Sequence, residues 1–128
     1  MTPPYPEIKT FVQETLGCSC PEEIFDRIEV DTGAGEAPHR IRIGGRLLVY
    51  ILDASRAADV SGAITSALHE GVRERDRDRF NRLRLVVVSP SPDRIAEAAR
   101  AAFSGSPARD EKTHLHVLET CNLGFVRL

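Results

Sequence analysis

The segment Leu83-Arg84-Leu85-Val86-Val87-Val88-Ser89 constrains this chain more than any other. From Leu85 to Val88 it holds no polar residue, and three of those four residues are β-branched. A run of this kind has no side to give to water, so it predicts a strand covered on both faces. Whatever precedes and follows it has to supply the cover.

The flanking patterns supply it. Val60, Ala63, Ile64, Ala67, Leu68 and Val72 fall on one helical stripe before the strand, with Ser55 as its expected N-cap and Gly71 as a point where it stops or bends. After the strand, Ser91 and Pro92 open a second helix whose core face is Ile95, Ala98, Ala99, Ala102 and Phe103. Thr113 to Leu118 reads as a final parallel strand, and Phe125 to Leu128 as a short edge strand or docked tail. Upstream, His39 to Ile43 alternates, Gly44-Gly45 is a turn that demands positive φ, and Leu47 to Leu52 returns as a continuous apolar run. The first of these reads as an edge strand with outward Arg40 and Arg42, which discourage further pairing. Nearer the N-terminus, Ile8, Phe11, Val12, Thr15 and Leu16 form a helical stripe closed by Gly17, and Pro21 opens a second short helix with Ile24, Phe25 and Ile28 on its buried side.

The expected fold is therefore α/β: a mixed, mostly parallel sheet of four to five strands with an antiparallel hairpin edge, helices packed on it, and two helices N-terminal to the sheet. A chain of 128 residues builds one core, so residues 1–128 are read as a single domain with proline-rich Met1 to Pro6 frayed. The net charge of −2, with acids interleaved among the arginines, gives no field for nucleic acid or an anionic membrane. No apolar run approaches the length of a bilayer span, and the N-terminus lacks the basic and apolar blocks of a signal peptide. Three cysteines, an odd count, point to a reducing, cytoplasmic setting without a disulfide framework.

Cys18-Ser19-Cys20-Pro21 is the sharpest chemical feature. Thiols two residues apart lie within about 7 Å at Cα, at the outer limit for a disulfide. With Pro21 first in a helix, Cys20 becomes its N-cap, where the dipole favours the thiolate; Glu22 and Glu23 oppose that charge. In the other register Ser19 is the cap, Glu22 closes a capping box, and both cysteines are small buried apolar residues. His114 and His116 share one face of the last strand, and Cys121 follows. With Cys18 and Cys20 they make five residues of zinc-compatible type, although a C-x-C is a weak metal signature and the histidines equally suit an exposed strand face.

A second candidate lies at the carboxyl ends of the parallel strands, where α/β sheets bind ligands. Asp53, Ser55, Ser89 and Ser91 sit there, beside two helix N-termini that attract anions; ordinary caps and turns use the same residues. Gly33-x-Gly35 lacks the third glycine of a nucleotide loop, and Arg73 to Arg84 has its charge cancelled by Glu74, Asp76 and Asp78, so it reads as a solvated surface. Three functions are open to such a chain: a thiol-dependent redox or metal-binding role at Cys18 and Cys20, a non-catalytic interaction module that pairs with a protein partner or with itself, and a small-ligand or anion site at the strand ends.

Overall fold

The computed structural model describes residues 10–15, 27–31, 38–56 and 58–120. Their frame is one five-stranded sheet in sequential order: β1 (Ile28–Asp31), β2 (His39–Ile43), β3 (Leu47–Asp53), β4 (Arg82–Ser89) and β5 (Thr113–Glu119). β1, β2 and β3 form an antiparallel meander, and β3, β4 and β5 run parallel. Two helices make the crossovers: α1 (Val60–Asp78) joins β3 to β4, and α2 (Pro92–Gly105) joins β4 to β5. A π-helical turn, Phe11–Thr15, precedes the sheet.

β4 lies between two parallel neighbours, as the valine run demands. Its side chains divide by parity. Leu85 and Val87 pack with Leu48, Tyr50, Leu52, Ile64 and Leu68 under the two helices. Val86 and Val88 pack on the opposite face with Ile41, Val49, Ile51 and the Phe11–Val12 pair. All four are fully buried, so β4 belongs to two cores at once. Both crossovers step the same way across the sheet, and a right-handed connection then puts both helices on one face. They cover β3 to β5 and leave the same face of β1 and β2 without a helix among the described residues.

Several details differ from the sequence reading. The hairpin strand β2 is not an edge, because β1 pairs with it from Ile28↔Ile43 to Asp31↔Arg40. Ile28 belongs to that strand and not to a second N-terminal helix; the rest of the proposed second helix, and Ile8, Leu16 and Gly17 from the first, lie outside the described residues. Arg40 and Arg42 do not face open solvent. They point to the helix-bearing side and meet carboxylates of α1. Gly44 and Gly45 take φ of 58° and 67°, the positive values the hairpin required, and Arg46 adds a third residue between the paired Ile43 and Leu47.

α1 starts later than expected. Ser55 sits in a 3-10 turn, Ala54–Arg56, and the N-cap is Asp59. Gly71 neither stops nor bends α1, which runs through to Asp78. It packs directly on β4: a Cβ there would stand 2.8 Å from a Leu83 methyl. In α2, Pro92 takes the first turn after Ser91 as expected, but Ala98 is exposed, and Ala99 is the residue buried outright. No described helix is long and apolar enough to cross a membrane.

Candidate functional site

Three polar groupings stand out among the described residues, each made by a different consequence of the topology.

The first lies at the carboxyl ends of β3 and β4. Asp53 and Val88 are register partners, so Asp53 and Ser89 end adjacent strands. The Asp53 carboxylate accepts from the Ser55 backbone N–H at 3.0 Å and from its hydroxyl at 2.6 Å. Ser89 Oγ accepts from the Ser91 N–H at 3.0 Å. The four candidates are thus brought together in two local pairs that shape the starts of the crossovers. Ligand crevices in parallel sheets open where the strand order reverses and adjacent helices leave on opposite faces. The order here never reverses, and α1 and α2 leave on the same face.

The second grouping fills the corner over β1 and β2 that no described helix covers. Glu74, 3% exposed, comes down from α1. It accepts from the Tyr50 hydroxyl at 2.6 Å and from Arg42 Nε at 2.8 Å, with Arg40 Nη1 at 3.5 Å. Arg40 also pairs with Glu70 and lies 5.2 Å over the Tyr50 ring, and Arg42 bonds Asp31 of β1 at 2.6 Å. Burial first, and then the bond to Glu74, push the Tyr50 hydroxyl well above the usual phenol range. The next residue, buried Arg75, forms a two-pronged pair with Asp110, at 2.8 and 2.6 Å, that ties α1 to the loop before β5. Neither Glu74 nor Arg75 was foreseen, because both lie in a charged run that reads as solvated. The available signal was the pair of arginines alternating on β2, which needed acids opposite them. These groups satisfy one another. A cleft of about 510 Å³ beside them, bounded by Pro38 and Ser66, has Arg40, Glu70 and Asp59 as its charged walls, the first two already paired.

The third grouping is on the other face, at the β4–β5 end. Arg84 pairs with His114 in register and Val86 with His116, so Arg84, His114 and His116 share the side opposite the helices. Arg84 Nη1 lies 3.0 Å from His116 Nε2, and the imidazole nitrogen accepts from the guanidinium. Burial, then Arg84, then His114 push His116 down to about 4. Burial and the same arginine lower His114, whose Nε2 is buried with no hydrogen-bond partner among the described residues. Burial and Arg82 also lower Arg84. At neutral pH this is a guanidinium held against two uncharged imidazoles in a poorly solvated setting.

Comparison with protein families, curated proteins and solved structures finds no match to this chain. Function therefore rests on the chemistry of these groupings. The two histidines foreseen as a same-face pair are one, and Arg84, in the middle of the valine strand, is the partner that sequence reasoning passed over. Cys18, Cys20 and Cys121 lie outside the described residues. Among the described residues, no group of three or more His, Cys, Asp or Glu side chains is placed to hold a metal ion.

Proposed function

We propose that this chain is a small thiol-dependent protein of a reducing compartment, with Cys18 and Cys20 as its working pair and thiol–disulfide exchange as its chemistry. One cysteine, as thiolate, attacks a substrate disulfide and releases one substrate thiolate. The other then displaces the second, leaving a Cys18–Cys20 disulfide and a substrate reduced by two electrons. The observation that carries this reading is the contact between Arg84 and His116. A cation in a poorly solvated position favours a nearby thiolate and disfavours a divalent metal through like-charge repulsion. The donor bond from Arg84 also occupies His116 Nε2, one of the two ring nitrogens through which an imidazole binds a metal. The helical turn Phe11–Thr15 buries Phe11 and Val12 on the face that carries this contact, and Cys18 follows only three residues later.

Zinc held by Cys18, Cys20, His114, His116 and Cys121 is the competing thiol reading. Metal analysis of the purified protein, with reactive thiols counted before and after reduction, separates them. Exchange chemistry predicts no stoichiometric metal and two thiols that disappear together on mild oxidation. One equivalent of zinc replaces this reading with the metal site, and three slow, buried thiols remove both.

A further inference from the structure

Among the described residues, which end at Thr120, the two edges of the sheet are built differently. β1 is a four-residue strand carrying Glu29 and Asp31, a short and charged border of the kind that resists further pairing. β5 is seven residues long in unbroken register, with no proline, no bulge and no lysine within it. A groove of about 420 Å³ runs along this edge. Five consecutive residues, Thr113 to Val117, line it together with Arg100, Phe103 and Ser104 of α2. Consecutive strand residues alternate faces, so a groove that touches all five meets the strand edge-on.

The ladder shows which backbone groups point into it. Leu83 is the register partner of Thr113, and its N–H donates to the Lys112 carbonyl at 3.0 Å. In a parallel ladder the even-numbered residues of β5 then face β4, and Thr113, Leu115, Val117 and Glu119 present their backbone groups outward. The Thr113 N–H is taken by the Asp110 carbonyl. The others lie along the groove and just beyond it.

We propose that two copies of this chain pair through β5, antiparallel, about a two-fold axis at His116, joining their sheets into one. This register sets Leu115 opposite Val117 and Thr113 opposite Glu119 of the second copy, so every outward-facing residue meets another outward-facing residue. Shifting it by two residues leaves one of them without a counterpart, and shifting it by one opposes residues of different faces. The pairing also matches charge. Glu119 is exposed on the helix-bearing side. Opposite Thr113 of the other copy, it reaches the part of the groove walled by exposed Arg100 and by Ser104. The contact occurs twice per dimer. The uncharged His116 side chains can meet at the axis without repulsion.

Sedimentation of the full chain across a range of concentrations tests this. The expected result is a reversible dimer. Arg100→Glu and Glu119→Arg, both at exposed positions, each weaken it by about tenfold, the sum of two surface ion pairs, and the doubly swapped protein recovers most of the loss. A monomer at every concentration overturns the proposal, as does a dimer indifferent to both charge reversals. So does a chain that dimerises only after truncation behind Thr120, because its own C-terminal segment would then be the occupant of the edge.

Discussion

Tyr50 of β3 donates a hydrogen bond of 2.6 Å to Glu74 of α1, inside the layer between sheet and helix. Burying a carboxylate at this depth is unfavourable unless it is paired, and here a phenol and the Arg42 guanidinium both donate to it. Replacing Glu74 by Ala leaves Arg42 and Tyr50 facing a void, and a loss of about 3–5 kcal/mol in urea unfolding is expected. Tyr50→Phe removes one donor and should cost about 1–2 kcal/mol. The same bond keeps Tyr50 protonated. In a Tyr5→Phe background, which isolates Tyr50, phenolate absorbance should rise only well above the usual phenol range; a normal titration in folded protein would contradict the arrangement.

The Arg75–Asp110 pair makes a separate prediction. Arg75 holds the Asp110 carboxyl below its ordinary range. A carboxyl depressed in the folded state adds stability above its unfolded pKa and loses it as pH falls through the folded value. Asp110→Asn should therefore destabilise the neutral protein by about 1–2 kcal/mol, since solvent screens the half-exposed carboxylate and Asp76 still pairs with Arg75, with the difference narrowing on acidification. Thermal melts of both proteins from neutral to strongly acidic pH measure this.

His116 gives a pH dependence at higher pH. Its folded value near 4 lies below the ordinary imidazole value, so the unfolded chain binds the extra proton first as pH drops. Stability should be complete above the ordinary value and fall between there and about 4. The full shift corresponds to roughly 3 kcal/mol, and the solvent that still reaches the ring reduces it. His116→Gln should flatten this part of the urea-midpoint profile. An unchanged slope would place the titration elsewhere.

Gly71 provides a packing test. Alanine in a helix interior ordinarily gains about 1 kcal/mol over glycine. Here its methyl would press on Leu83, which is fully buried, and overpacking should reverse the sign to a net loss of about 1 kcal/mol. Adding Leu83→Val should make the double variant more stable than the sum of the single effects. Additivity would mean that helix and strand do not meet there.

How much of this was legible depends on whether a local pattern or a distant partner fixed each element. β4 was readable because four apolar residues in a row admit only burial on both faces. The Gly44-Gly45 turn was readable because positive φ selects glycine. β1 was legible only at its end: Glu29 and Val30 read as extended, but Ile28 also continues the helical stripe of Ile24 and Phe25, and only pairing with β2 makes it part of the strand. Ser55 looked like a cap, but its bonds to Asp53 close a 3-10 turn instead and push the start of α1 back to Asp59. Glu74 and Arg75 were invisible for the converse reason: their run alternates in charge as a solvated helix does, and their burial comes from Arg42, Tyr50 and Asp110, all distant in sequence. For the candidate site, the shared face of His114 and His116 follows from strand periodicity, whereas Arg84 joins them only through the β4–β5 register.

The thiol reading is tested most directly by the pH dependence of alkylation at Cys18 and Cys20, followed site by site by mass spectrometry. The account predicts at least one thiol titrating clearly below the ordinary value of about 8.5, and moving back toward it in an Arg84→Met variant with an unchanged folded spectrum. Two cysteines titrating at or above the ordinary value in the unaltered protein, or failing to react until it unfolds, would contradict it.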